Sequence, residues 1–238
     1  MEDLENMPDD WTRALLIMAH PDDAEYGAGA AVAEWTAAGK EVAYVLASKG
    51  EAGIAPLPPA ESARVREAEQ RRACEAVGVD DLTFLGYPDG RIEQSLALRR
   101  DFAREIRRFK PHLVITLNHH DTWAPGAWNS ADHRAVGRSV LDAAADASNA
   151  WIFEELKVDG FAPWDGVRWV AVMSMQPTHV TPVSADSVAR AVDSLAEHEQ
   201  YLQALSSDPV REQAQRQVDM VTGGDPDQAR VAFELYNL

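Results

Sequence analysis

Cysteine is almost absent from this chain. Its 238 residues include one, Cys74, so neither an intrachain disulfide nor a cysteine-based zinc finger can form. A lone thiol suits a reducing compartment, and Cys74, set in a helical pattern, reads as a small core residue. Cationic side chains are also scarce: 22 Lys and Arg stand against 39 Asp and Glu, a formal net charge of −17. A surface of that sign repels nucleic acid and anionic lipid, which removes both as expected partners, although it identifies no substrate. No apolar run approaches the roughly 18 residues that would mark a bilayer span. The first ten residues hold five acids and no base, which is not the pattern of a secretory signal. These absences lead to the expectation of a cytoplasmic protein.

The chain has ample material for a core. Hydrophobic residues make up 46% and charged residues 26%, a balance expected of one globular domain of this length. Residues 1–12 read as a flexible acidic N-terminus and residues 13–238 as a single domain. Short apolar runs at 14–19, 42–47, 82–85 and 113–117 predict strands. Between and after them, residues 27–39, 60–77, 94–109 and 131–147 have helical composition, with Gly39, Gly78 and Pro111 as stops. This alternation predicts an α/β, Rossmann-like, mostly parallel sheet with helices on both faces. Further on, 122–130 reads as a loop and 151–166 as irregular. Strands are expected at 167–174 and 180–183, and helices at 187–205 and 209–235, the last broken near Gly223-Gly224.

Open α/β sheets bind ligands beyond the carboxyl ends of their strands. Two clusters fall there, His20-Pro21-Asp22-Asp23 and Asn118-His119-His120-Asp121. An imidazole nitrogen and a carboxylate oxygen suit a divalent cation such as zinc. Two adjacent carboxylates on a proline-kinked loop can divide the work, one holding the metal and the other a water. Alternatively, Asp22 or Asp23 simply caps the following helix. Asp132-His133, at the start of a predicted helix, offers a second histidine to the same edge, or a surface histidine in a first turn. His20, Asp23 and His133 together would leave coordination positions open, as a catalytic zinc site requires. A dinucleotide fold is rejected, because Asp22 and Asp23 stand where a pyrophosphate would sit.

Several blocks taken together carry more. They are Ala19-His20-Pro21-Asp22-Asp23-Ala24-Glu25-Tyr26-Gly27, Ser48-Lys49-Gly50-Glu51-Ala52-Gly53, Arg66 to Glu69 ahead of Val77-Gly78-Val79, Leu85-Gly86-Tyr87-Pro88-Asp89-Gly90, and Asp132-His133-Arg134-Ala135-Val136-Gly137. In this order they resemble the LmbE-like, or PIG-L, family of zinc-dependent N-acyl deacetylases, over nearly all of residues 13–185. The resemblance implies His20, Asp23 and His133 as ligands of Zn2+, with Fe2+ as another candidate ion, and Asp22 as general base toward a zinc-bound water. It implies Arg66 and Asp89 as substrate-binding groups, and a small N-acetylated, glucosamine-like substrate. Two positions depart from the pattern. Ser130 replaces a histidine that helps stabilise the oxyanion in mycothiol-type members, and Trp128 aligns with a tyrosine that is a candidate acid there. One of His119, His120 and His179 is expected to supply the missing electrophile or acid. The departures leave room for a non-sugar or longer-acyl substrate, or for an inactive metal-binding relative. Whether the chain forms a homo-oligomer stays open.

Overall fold

The computed structural model describes residues 4–225 and 227–238. Its eight-stranded sheet holds, in spatial order, β1 (Glu5–Asn6), β9 (His179–Pro182), β10 (Arg230–Asn237), β8 (Trp169–Met173), β5 (Leu113–Leu117), β2 (Arg13–Met18), β3 (Glu41–Leu46) and β4 (Asp81–Phe84). All neighbours are parallel except β10, which runs antiparallel to both β8 and β9. β2 and β5 lie at the centre, and their apolar sequences are buried residue after residue, as a strand covered on both faces requires. On one side α4 (Leu96–Phe109) and α5 (Ala131–Ser148) pack together and onto β2. On the other, α2 (Gly29–Ala37), α3 (Pro59–Val77), α7 (Ala185–Ala196) and α9 (Val210–Thr222) form a second layer. No described helix is long and apolar enough to cross a membrane.

The parallel sheet with helices on both faces is therefore as expected, and the departures cluster at the chain's ends. Residues 1–3 lie outside the described residues, but from Leu4 onward the segment expected to be flexible is docked. Glu5 and Asn6 pair with His179 and Val180. Trp11 is buried and meets Trp35 edge-on at 5.2 Å, while Trp35 stacks on Phe233 at 6.0 Å. Burial of these rings outweighs the local acidity that suggested a free tail. At the other end the helix expected over 209–235 stops at Thr222, and 230–237 is a strand. Val231 and Phe233 are fully buried on alternate positions, the period-two signature of a strand, obscured by the helix-rich composition just before it.

Smaller corrections follow local chemistry. The loop expected over 122–130 contains a hairpin, β6 (Thr122–Ala124) and β7 (Ala127–Trp128), turning at Pro125-Gly126. Residues 151–166 include the short helix α6 (Glu154–Val158), and 187–205 splits into α7 and α8 (Glu199–Leu205). The helix expected over 27–39 is α2, and a short helix not expected from the sequence, α1 (Asp23–Gly27), precedes it.

One close approach sets the position of α5 and hence of its first turn. A Cβ on Gly137 would lie 2.6 Å from the Leu117 carbonyl oxygen and 2.9 Å from the His119 Cβ. Because the first obstacle is backbone, Gly137→Ala is expected to lose about 1–3 kcal/mol of stability through overpacking. Urea unfolding checks this; an unchanged midpoint would mean that α5 does not depend on this contact.

Candidate functional site

β2 ends at Met18 and the chain turns sharply through His20-Pro21-Asp22 before α1 begins. Asp22 sits in the left-handed region, φ 82 and ψ −24, which disfavours a non-glycine residue by about 1–3 kcal/mol. Side chains from α3 hold it there. The Asp22 N–H donates to Gln70 Oε1 at 2.9 Å, and Gln70 Nε2 donates to Glu25 Oε1 at 3.0 Å. Arg66 Nη2 donates to Asp22 Oδ1 at 2.9 Å and to the Pro21 carbonyl at 2.6 Å. Neither aspartate acts as a side-chain cap. Asp22 makes no cap bond, and Asp23 Oδ2 instead accepts the His20 N–H at 2.7 Å.

The turn brings three distant side chains together. Asp23 Oδ2 lies 3.4 Å from His20 Nδ1, and Asp23 Oδ1 lies 3.1 Å from His133 Nε2. The two imidazole centroids are 5.3 Å apart. One donor atom from each of His20, Asp23 and His133 falls within 4.8 Å of the other two. His133 arrives from the first turn of α5, where Ser130 Oγ accepts its backbone N–H at 3.1 Å.

Asp132, next to His133, does what the sequence did not reveal. Its carboxylate accepts the N–H groups of Gly90 at 2.7 Å and Ile92 at 3.0 Å, and its Oδ2 stands 3.0 Å from His20 Nε2. Asp89 reaches the same nitrogen at 3.1 Å and accepts the Ala52 N–H at 2.8 Å. The outer nitrogen of His20 is thus held by carboxylates, leaving Nδ1 to face Asp23. That is how a metal-ligating histidine is normally oriented.

The electrostatics of the cluster call for positive charge. Burial works against a charge on His20, yet Asp23, Asp132 and Asp89 outweigh it and raise its pKa well above that of a free imidazole. Burial would also raise Asp23, but His133 and His20 hold it far below the usual carboxylate range. Asp22 is pushed up to about 6 by burial, against the pull of Arg66 and with the help of Asp23. Protons on imidazole partly answer these carboxylates. A divalent cation answers them with both rings neutral, and two imidazoles with one carboxylate are a donor set that such an ion takes.

The cluster borders a cavity of about 950 Å³, lined by His20, Asp22, Asp23, Asp89 and His133 among others. Trp123 of the hairpin also lines it, its ring perpendicular to that of His133 at 6.0 Å. Tyr26 and Tyr201 stand beside Arg66 in the wall.

Several expected site residues lie elsewhere or do something else. Arg66 borders the cavity but is only 2% exposed; its Nη1 and Nη2 donate to Asp22, Pro21 and the Gly50 carbonyl, and its guanidinium lies 4.1 Å from the Tyr201 ring centroid. It therefore positions Asp22 rather than reaching out to grip a ligand. The Gly50 and Gly53 spacing makes room for it, since a Cβ at either would come within 2.3 Å of Arg66 Nη1. Ser130 caps α5 and, like Trp128, is not among the cavity-lining residues. Trp128 is exposed, with Arg134 over its ring at 4.6 Å. His119 and His120 do follow β5 at the sheet edge, but His120 Nε2 meets Glu234 Oε2 of β10 at 2.8 Å, and the two imidazoles pack 4.2 Å apart. His179 lies on β9, its Nδ1 2.9 Å from Thr178 Oγ1. None of these three histidines lines the cavity.

Comparison with known proteins bears on family and fold. The family described as GlcNAc-PI de-N-acetylase (PIG-L) matches residues 15–144, more than half of the chain. A 1D-myo-inositol 2-acetamido-2-deoxy-alpha-D-glucopyranoside deacetylase from Kineococcus radiotolerans is 29% identical over 189 residues, covering 64% of this chain and 49% of that protein. Diacetylchitobiose deacetylase from Thermococcus kodakarensis is 29% identical over 140 residues, covering 58% of this chain and 51% of that one. The chain thus spans about half the length of these curated relatives. In fold it resembles the N,N'-diacetylchitobiose deacetylase of Pyrococcus horikoshii, with a TM-score of 0.84 at 21% identity over 99% of this chain and 88% of that one.

The part given to Asp132 is testable. Asp132→Ala is expected to weaken divalent-cation binding about 10–100-fold by releasing His20. Chelator competition measures the affinity, and far-UV circular dichroism shows whether the fold is intact. Wild-type affinity in a folded variant would remove Asp132 from the site.

Proposed function

Since the chain belongs to the GlcNAc-PI de-N-acetylase family, we propose that it is a metal-dependent hydrolase that removes an N-acetyl group from a small glucosamine-like molecule. The observation that carries this reading is the convergence of His20, Asp23 and His133 at a cavity that Asp22 also lines. His20, Asp23 and His133 are the residues that would hold the ion, and the donor set fits zinc. When bound, a divalent cation supplies Lewis acidity, polarising the acyl carbonyl and making water a better nucleophile at neutral pH.

The chain's own groups do the rest. Asp22 is ionised at neutral pH, and Arg66 fixes its Oδ1. No donor among the described residues bonds to its Oδ2, which is left to take a proton. As water adds to the acyl carbon, Asp22 accepts the proton that the water loses. It returns that proton to the nitrogen as the C–N bond breaks, leaving a carboxylate and a free amine. Asp89, within reach of His20 and at the cavity wall, is placed to meet a substrate hydroxyl as well. With Ser130 engaged as a cap, an imidazole is missing from the oxyanion side. Tyr26 and Tyr201, whose hydroxyls burial pushes above the ordinary phenol range, are the hydroxyl donors lining the cavity beside Asp22.

The test is amine release from N-acetylglucosamine and its glycosides by protein loaded with zinc. Chelation should abolish turnover and added metal restore it. Asp22→Asn should retain the ion and lower kcat by about 10²–10⁴-fold. A zinc-loaded wild-type protein that releases no amine from any member of such a panel would overturn the proposal in favour of a binding role.

A further inference from the structure

The cavity wall is of two kinds. Besides the polar cluster it carries apolar residues: Leu117 and Met173 at the ends of β5 and β8, Leu205 at the end of α8, and Met220 and Val221 of α9. Eight large hydrophobic side chains are exposed among the described residues, and three of them, Met175, Leu205 and Met220, border this one cavity. Such gathering marks a binding surface, whereas scattered exposed apolar residues do not. Three of the chain's six methionines line it, and methionine's flexible, polarisable side chain adapts to apolar groups of varied shape.

The Gln217 and Ser174 side chains of that wall already donate within the protein. Gln217 Nε2 donates to the Tyr26 carbonyl at 2.8 Å, and Ser174 Oγ to Glu234 at 2.7 Å. No charged side chain lines the cavity outside the cluster and Arg66. A second sugar ring or a phosphate there would lose its water for few partners and no cationic one. The volume of about 950 Å³ is also at the top of the range typical for drug-sized ligands, roughly 300–1,000 Å³, more than one acetylated sugar needs.

We infer that the substrate carries a bulky apolar group, alkyl or aryl, which lies along Met173, Leu205, Met220 and Val221 while the amide sits at the His20–Asp23–His133 cluster. This rests on the hydrolase reading above. The group belongs either to the acyl chain or to the aglycone, and the chemistry of the wall is the same for both.

Two substrate series separate these sources: N-acyl glucosamines from acetyl to octanoyl, and N-acetylglucosamine as methyl to octyl glycosides. In the series that matches, kcat/KM should rise about three- to fourfold per methylene buried before levelling off. In Met220→Asp and Leu205→Asp, both altered at exposed positions, the ratio of kcat/KM for the longest to the shortest member should fall at least tenfold. Turnover of N-acetylglucosamine with flat profiles in both series overturns this inference alone. Calorimetric titration with octyl against methyl 2-acetamido-2-deoxy-glucoside tests it without turnover, so that an inactive protein still gives an answer. Equal affinity within this pair and also between N-octanoyl- and N-acetylglucosamine overturns the apolar site, and tighter binding of either the octyl or the octanoyl ligand that is lost in Met220→Asp supports it. Should sedimentation show a dimer that Met220→Asp dissociates, with the octyl preference unchanged, the wall belongs to a subunit interface and the inference fails.

Discussion

Four carboxylates, those of Asp22, Asp23, Asp89 and Asp132, meet at one edge of the sheet, and the rest of the site follows from how their charge is answered. Burying an ion without a partner costs several kcal/mol, so each needs a specific reply. Asp132 takes two backbone N–H groups from the 90–92 turn, Asp89 takes one from Ala52, and Asp22 has Arg66. Asp23 is left with the His20 N–H and two imidazoles. The unanswered charge is therefore focused on the point between His20, Asp23 and His133. The same arrangement that the fold must tolerate is the one that a cation would complete.

This focusing needs the parallel sheet. His20 leaves the end of β2, Asp89 follows β4, Ala52 and Gly53 follow β3, and His133 opens the helix after β5. Parallel strands put all these connections on one edge, where the protein can join residues more than a hundred positions apart. Arg66 then ties α3 to the β2 turn and to the β3 connection at once. Replacing either Gly50 or Gly53 would press on the guanidinium that keeps Asp22 in its left-handed conformation, so a loop without a ligand-facing side chain is still part of the site's geometry.

How much of this was legible in the sequence depended on how local each feature is. The strand-end position of His20-Pro21-Asp22-Asp23 was readable because an apolar run, a proline and two acids are adjacent. The His133 position was readable from a helix start. The direction of a long side chain was not, because it is decided by segments far away: Arg66 turns inward because two glycines of another connection admit it. His119 and His120 illustrate how one error leads to another. They were correctly placed at the sheet edge, but the segment up to residue 235 was read as helix. Recognised as strand β10, 230–237 brings Glu234 to His120, and with that the imidazole has a partner outside the cavity. The role of Asp132 escaped notice because its partners are two backbone N–H groups, which leave no mark on side-chain composition, and an imidazole 112 positions away.

The two kinds of cavity wall also come from different parts of the chain. Every member of the polar cluster lies within residues 15–144, the stretch that the family describes. The apolar wall comes mostly from later: Met173 from β8, Leu205 from α8, Met220 and Val221 from α9. A charge cluster tolerates little change, since removing one partner strands another in the interior. An apolar wall of Met, Leu and Val tolerates hydrophobic exchange at small cost. On the proposed reading the sheet edge fixes the chemistry, and the choice of molecule falls to helices that can vary without disturbing it. Ser130 fits the same division: it secures the helix that delivers His133 and leaves recognition to the apolar wall.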